Sequence, residues 1–139
     1  MPLALLGLLA AGLLTTACKK DTTSAVPDFS AADDATITKY LATNSITTAQ
    51  KQTSGLYYVP LVTNTAAQQA TVGMAASVRY TGKLLNGTVF GASSLHNNRI
   101  SSFRVGDLVY IQGLEQGVSL MHLGDSATFL GSVGASVWT

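Results

Sequence analysis

Hydrophobic and polar positions alternate most clearly between residues 76 and 80. Ala76, Val78 and Tyr80 share one face of an extended segment, and Arg79 lies on the opposite face. Farther along, Asn86-Gly87 separates two apolar runs. This dipeptide favours a tight turn because both residues tolerate positive φ. The pattern therefore predicts a hairpin of two antiparallel strands, of which the second carries a phenylalanine at position 90.

Helical spacing of apolar side chains appears near the start of the polar part of the chain. Ile37, Tyr40 and Leu41 would share one face of a helix that begins near Ala31. Ser30, followed three residues later by an acid, resembles a capping box at the start of this helix. The alternatives are a solvent-facing helix and a disordered spacer.

The remaining segments predict an antiparallel sheet and a second, shorter helix. They are, in chain order, a strand at 56–62, a polar loop at 63–73, a strand carrying Phe103 and Val105, a helix over roughly 114–123 and a strand at 127–130. Pro60 lacks an amide proton, which places the first of these strands at a sheet edge. The short helix should pack against the sheet through Leu114, Val118 and Met121. The fold class predicted by this order is α+β.

Length and charge narrow the classes of function. The 139 residues allow one small domain, only 11% of them are charged, and the formal net charge is +1. No basic stripe runs along the chain, so we expect no nucleic-acid partner.

The N-terminus has the pattern of an export signal. Pro2–Ala17 is a nearly unbroken apolar run, shorter than a membrane span and typical of a signal peptide. Cys18, the single cysteine, follows directly and resembles the lipidated cysteine of a bacterial lipobox; the alternative is an unmodified thiol. We therefore expect a signal peptide at 1–17, a flexible tether at 18–30, a helical segment at 31–53 and the main domain at 54–139. The residue after this cysteine is Lys19 and not the acidic residue associated with retention of lipoproteins at the inner membrane. We therefore expect anchoring at the outer membrane, with the domain facing the periplasm.

Ordinary catalytic groups are not arranged in recognisable motifs. His96 and His122 lie far apart without ligand-spaced partners, and Asp107, Glu115 and Asp125 show no paired spacing. Neither a nucleophilic enzyme nor a metal-dependent one is predicted, and we expect no cofactor or metal site.

Four motifs in order carry a resemblance to one family. They are V-R-Y-T-G-K-L-L-N-G-T-V-F at 78–90, F-R-V-G at 103–106, I-Q-G-L-E-Q-G at 111–117 and M-H-L-G at 121–124. This order resembles the FKBP-type peptidyl-prolyl cis-trans isomerases from about residue 54 to residue 128. The resemblance implies an antiparallel sheet wrapped on one short helix. It also implies an activity on proline-containing polypeptides that needs neither acid–base groups nor a metal.

The resemblance also assigns candidate site residues. Those that match the catalytic positions are Tyr80, Phe90 and Ile111, the last through its backbone amide. Those that match substrate-binding positions are Tyr110, Leu114, Gly91 and Phe103. Each could instead simply pack in the core, and for Phe103 core packing is the favoured role.

Several positions depart from the family pattern. Gly91 stands where the family has aspartate, Leu114 where it has tryptophan, and Ser101 where it has an aromatic residue, with Ile100 in place of the preceding proline. These departures keep a second class of function open, a non-catalytic peptide-binding or chaperone module. A defective product without function is the third interpretation.

The tail after Leu130 does not continue the family pattern. Read one nucleotide later, the codons of residues 131–139 permit V-P-S-x-L-x-Y-G, which is close to the family's own continuation. We therefore expect a truncated or frameshifted copy in which the last strand of the sheet is missing.

Overall fold

The computed structural model describes residues 30–131 and 136–139. Within these ranges the chain forms two helices, eight strands and one 3₁₀ turn. The helices are α1 (Ser30–Thr43) and α2 (Gln112–Ser119). The strands are β1 (Gln50–Lys51), β2 (Tyr57–Val62), β3 (Ala75–Val78), β4 (Thr81–Leu84), β5 (Val89–Ala92), β6 (Ser101–Arg104), β7 (Ser126–Gly131) and β8 (Ser136–Trp138). The 3₁₀ turn spans Ser93–His96.

The strands form two antiparallel sheets. Six of them pair in the order β1-β2-β7-β8-β4-β5, and β3 pairs with β6 in a separate two-stranded sheet. The predicted α+β class with an antiparallel sheet and a short helix is confirmed.

The prediction that the last strand is missing is wrong. Residues 136–138 form β8, which pairs on one side with β7, from Phe129 to Gly131, and on the other with β4, from Gly82 to Leu84. A strand in this position satisfies backbone N–H and C=O groups that would otherwise form an open edge in the middle of the sheet.

The predicted hairpin is present, with one difference. β4 and β5 are joined at Asn86-Gly87, where the Leu84 amide donates to the Thr88 carbonyl at 2.8 Å and Gly87 has φ +92°. The strand expected before it is divided in two, because β3 pairs with β6 whereas β4 pairs with β5 and β8. The division lies at Arg79–Tyr80.

Helices cover both faces of the large sheet. On one face α1 buries Ile37 and Leu41 against a cluster that also contains Tyr57, Val59 and Leu130. On the other face α2 packs Leu114 and Val118 into the main core. The other buried members of that core are Leu56, Tyr58, Phe103, Val105, Ala127 and Phe129. The predicted helix near Ala31 is confirmed, and it packs on the sheet, unlike the solvent-facing or disordered alternatives.

Two smaller predictions concern element ends. β1 pairs only with Tyr57 and Tyr58, so β2 becomes a sheet edge before Pro60, as expected. α2 ends at Ser119, four residues earlier than predicted, because the Leu120 amide bonds back to the carbonyls of Gly117 and Val118.

In the two ranges that the structure describes, no helix has both the length and the apolar character needed to cross a membrane.

Candidate functional site

A cavity that gathers predicted site residues lies beside the division between β3 and β4. It has a volume of about 560 Å³. Its lining residues are Tyr80, Ala92, Ser93, His96, Arg99, Ile100, Ser101, Ser102 and Tyr110. Tyr80 and Tyr110, which are thirty positions apart in sequence, therefore face the same space, together with the serine that replaces the family's aromatic residue.

Tyr80 is fixed by reciprocal hydrogen bonds with Ser93. The Tyr80 amide donates to the Ser93 hydroxyl at 3.1 Å, and the Ser93 amide donates to the Tyr80 carbonyl at 2.9 Å. Ser93 is buried at the start of the 3₁₀ turn. This pairing holds the Tyr80 backbone where the chain leaves one sheet for the other.

Gly91 lies next to the Tyr80 ring. A Cβ at position 91 would sit 3.6 Å from Tyr80 Cε2 and 3.7 Å from its hydroxyl oxygen, which is ordinary van der Waals contact. The site therefore has room for a small side chain where the family carries aspartate.

Tyr110 is held from two directions. Its ring lies against that of Phe103, with centroids 5.1 Å apart and planes tilted by 51°, a favourable geometry for two aromatic rings. Its backbone amide donates to Glu115 Oε1 at 2.9 Å. Tyr110 is consequently fixed both through its ring and through its backbone.

Glu115 organises the whole loop before α2. Its carboxylate is buried and also accepts the amides of Gly106 at 3.2 Å and Leu108 at 3.0 Å. Leu108 adopts a left-handed backbone with φ +53°, a conformation that leucine rarely takes and that this carboxylate helps to hold. Donation by the Tyr110 amide, with those of Leu108 and Gly106, holds the pKa of Glu115 below its usual value.

Other predicted site residues lie outside the cavity lining. Phe90 on β5 and Ile111 at the N-cap of α2 are 45% and 40% exposed. Leu114 is 2% exposed and points into the main core, where it lines a different cavity of about 260 Å³. Phe103 is buried in the same core, as its favoured interpretation predicts. Cys18 lies outside the described residues.

A second polar cluster contains a histidine that the sequence left without a partner. The Asp125 carboxylate accepts the His122 amide at 2.7 Å and the Asn64 amide at 2.5 Å, and His122 Nδ1 lies 3.4 Å from Asp125 Oδ2. The His122 amide is the main reason that the pKa of Asp125 is lowered. In the described ranges, no three histidine, cysteine or acidic side chains are grouped as metal ligands.

Sequence reasoning missed Ser93 and Glu115 as supports of the site. A signal for Glu115 was present, because it lies three positions before Val118 and so at the border of the apolar face of α2. An acid at such a position needs hydrogen-bond partners once the helix packs. Ser93 carried no comparable signal.

Comparisons with known proteins agree with this geometry. Residues 66–130 match the family of FKBP-type peptidyl-prolyl cis-trans isomerases. No curated protein matches the chain significantly. Among solved structures, FkpA from Escherichia coli is 18% identical with a TM-score of 0.57, covering 78% of this chain and 57% of that one.

A second solved structure is closer in sequence. AtFKBP13 is 28% identical with a TM-score of 0.52, covering 59% of this chain and 69% of that one. This chain thus spans little more than half the length of FkpA, and the likeness to FkpA concerns the fold. The family match covers residues 66–130 and AtFKBP13 has a similar fold, so this part of the chain is similar to the FKBP-type peptidyl-prolyl cis-trans isomerases, as its sequence motifs indicated.

Proposed function

We propose that this protein is a peptidyl-prolyl cis-trans isomerase whose substrates are proline-containing polypeptides. One observation carries the proposal: Tyr80 and Tyr110, both at positions that match the family's pocket, line one cavity of about 560 Å³. That volume lies within the range of small-molecule sites and accommodates a proline with its neighbours.

The reaction requires rotation about an X–Pro amide bond. Its barrier of about 18–20 kcal/mol arises from the loss of amide resonance. A twisted amide has less charge separation than a planar one, so a site that withdraws the bond from water favours the transition state. Neither a base nor a nucleophile is needed, which suits a cavity that presents tyrosines and serines.

The site residues have separate roles in this proposal. The rings of Tyr80 and Tyr110 hold the proline, and the backbone amide of Ile111 donates to a substrate carbonyl at the exposed start of α2. Phe90 closes the outer wall when a peptide is bound. Glu115 acts indirectly, since it positions the loop that carries Tyr110.

A peptide-binding module without turnover is the second candidate. The cavity is lined mainly by polar side chains, including Ser101 and Arg99, and Leu114 faces the core on the other side. A cavity of this kind excludes water less well than aromatic walls would, which favours binding over catalysis.

A prolyl-peptide exchange assay separates the two candidates. We expect a rate above that in buffer for the native chain, a loss of about tenfold or more in kcat/KM for Tyr80→Ala, and an unchanged rate for Leu61→Ala on the far edge of β2. Binding of the peptide without rate enhancement supports the binding module and contradicts the isomerase. A chain that shows no cooperative thermal transition in far-UV circular dichroism is the defective product.

We also propose that the domain at 54–139 works at the bacterial cell envelope and assists the folding of exported proteins. In this proposal the chain is anchored through lipidated Cys18 at the outer membrane, on a tether at 18–30 that continues into the helical segment at 31–53. The apolar run followed by Cys18 supports this. Labelling with a radioactive fatty acid should mark the native chain and not Cys18→Ser. Equal labelling of both would overturn the anchor.

The reading-frame hypothesis for the tail stays a prediction. Sequencing the gene on both strands from the codon of Thr128 onward tests it. A one-base slip that restores the proline-serine and tyrosine-glycine pattern supports it, and an unchanged frame contradicts it.

A further inference from the structure

The cavity shared by Tyr80 and Tyr110 has basic side chains in its wall. Arg99 lines it together with His96, and the other polar side chains of the lining are serines and the two tyrosines. None of these lining residues is acidic. Arginine is always charged in proteins and offers five N–H donors in a planar fork. The cavity is therefore electropositive as well as polar.

A tight turn brings the two basic residues of the cavity together. The Arg99 amide donates to the His96 carbonyl at 3.0 Å. Between them, Asn97 and Asn98 both have positive φ, +52° and +58°. Positive φ at both central residues is typical of a type I′ turn, and asparagine adopts it more readily than most residues. The ends of such a turn lie within about 7 Å of each other, so both basic side chains start from one short stretch of the wall.

This stretch is held in place on both sides. Arg79, at the division between β3 and β4, donates from Nε to the Asn98 carbonyl at 3.2 Å. Two positions after Arg99 the chain enters β6, where Ser101 pairs with Val78 of β3. The segment that carries Arg99 is therefore fixed beside the cavity by a side-chain hydrogen bond and by a strand ladder.

The charge of Arg99 is not neutralised by the acidic side chains that the structure describes. In residues 30–131 and 136–139 its guanidinium takes part in no ion pair. The carboxylates of Asp34, Glu115 and Asp125 are engaged elsewhere, the first by a lysine of β1 and the other two by backbone amides. A guanidinium in this setting is available to a ligand carboxylate.

We propose that the cavity selects proline-containing segments in which an acidic side chain, aspartate or glutamate, stands next to the proline. This inference rests on the proposed isomerase function and specifies its substrate class. The rings of Tyr80 and Tyr110 hold the proline, and Arg99 binds the neighbouring carboxylate through charge-assisted hydrogen bonds. Ser101, half-buried where the family has an aromatic residue, adds a hydroxyl donor to the same wall.

The test uses the full chain and two pairs of peptides. The first peptides of the pairs are acetyl-Phe-Ala-Glu-Pro-Ala-amide and acetyl-Phe-Ala-Pro-Glu-Ala-amide, and each is paired with its glutamine counterpart, which has nearly the same shape and no charge. Isothermal titration calorimetry gives the affinities, and NMR exchange spectroscopy gives the rates of cis–trans exchange. We expect at least one glutamate peptide to bind about three- to fivefold more tightly than its counterpart, as is usual for a partly exposed charge pair.

Variants show whether this preference depends on Arg99. In Arg99→Gln the glutamate-to-glutamine ratio should fall to about one, and Arg99→Lys should keep part of it because the charge remains. Lys39→Gln is the matched control. It removes the same charge from an exposed position of α1, the helix that packs against β2 and β7, and should leave the ratio unchanged.

Several outcomes would overturn the proposal. They are equal affinities within both pairs, a glutamate preference that survives in Arg99→Gln, and an equal fall of the ratio in Lys39→Gln, which would reveal only a long-range effect of net charge. Acetyl-glutamate amide, which contains no proline, should not compete with the peptides. Equal competition would make the cavity a simple anion site and would also overturn the proposal.

The two proposals fail separately in this experiment. A glutamate preference that depends on Arg99, without faster exchange of any peptide, contradicts the isomerase and supports the acidic selectivity. Faster exchange of all four peptides at equal affinity contradicts the selectivity and supports the isomerase.

Discussion

Gly117 of α2 lies directly against the ring of Phe129 on β7. A Cβ at position 117 would sit 2.6 Å from ring carbons Cγ, Cδ1 and Cδ2, far inside the usual contact distance of about 3.5–4.0 Å. The missing side chain lets the helix approach the sheet closely.

Gly117→Ala should destabilise the domain even though alanine is the better helix former. Relieving the clash requires the ring or the helix to move, which costs about 1–3 kcal/mol. Gly113→Ala in the same helix is the matched control, since its Cβ would meet only Leu56 Cδ1 at 3.7 Å. We expect this control to be neutral or slightly stabilising. Urea unfolding of both variants measures the difference, and equal midpoints would contradict the packing argument.

Glu115→Gln should loosen the loop that carries Tyr110. The amide side chain keeps one acceptor oxygen and brings an NH₂ group close to backbone amides that need an acceptor. We expect a lower Tm and a weaker peptide affinity of the Tyr110 cavity. Asp107→Asn, an exposed change in the same loop, is the control and should alter neither.

The effect of Glu115→Gln should depend on pH in a defined direction. The pKa of Glu115 is held below its ordinary value of 4.5 in the folded state, chiefly by the Tyr110 amide. The carboxylate therefore contributes stability above that value, and the contribution is lost as the pH falls through the lower folded pKa. The Tm difference between native chain and variant should be largest near pH 7 and should shrink in acid. A difference that is constant from pH 7 to pH 3 would contradict this account.

Ile37→Ala tests whether α1 is part of the folded domain. Ile37 is 1% exposed and packs with Leu130 and Tyr57, so removing its side chain should cost about 2–5 kcal/mol. Thr36→Ala, the exposed neighbour in the same helix, should have little effect. A single unfolding transition that shifts only with Ile37→Ala supports one cooperative unit. An unchanged transition would make α1 an independent spacer.

Gly91→Asp should raise the proposed isomerase activity. The new carboxylate would lie within reach of the Tyr80 hydroxyl, accept its proton in a hydrogen bond and orient the ring. We expect a gain of about three- to tenfold in kcat/KM, equivalent to ~0.7–1.4 kcal/mol of transition-state stabilisation. Gly91→Asn fills the same space without the charge and should give a smaller gain. Equal rates for both variants would mean that volume rather than charge matters at this position.

Local patterns predicted much of the fold because they depend on residues close in sequence. The Asn86-Gly87 turn and the apolar face of Leu114 and Val118 each follow from short-range chemistry, and the structure confirms both. The strand partners of residues 75–84 did not follow from the sequence. Only tertiary pairing assigns the first half of this segment to β6 and the second half to β5 and β8.

The predicted site residues lie only partly together in the structure. Motif positions identified Tyr80 and Tyr110, which the structure brings to one cavity. The motif positions could not show that the Leu114 side chain would point away from this cavity. A leucine in the tryptophan's place packs equally well in the main core. The last strand was wrongly predicted to be missing because a strand as short as β8 draws its stability from its neighbours on both sides rather than from its own sequence pattern.

The pairing of β2 with β7 also sets the order in which this domain can assemble. Tyr57 pairs with Leu130, so the centre of the sheet joins segments from opposite ends of the domain. Such non-local pairing makes folding slow, because the entropic cost of closing the long intervening loop comes before any stabilising contact forms. During synthesis α1 and β2 emerge first and must wait, with Ile37 and Val59 uncovered, until β7 has left the ribosome. A protein proposed to help others fold would therefore pass through its own aggregation-prone interval each time that it is made.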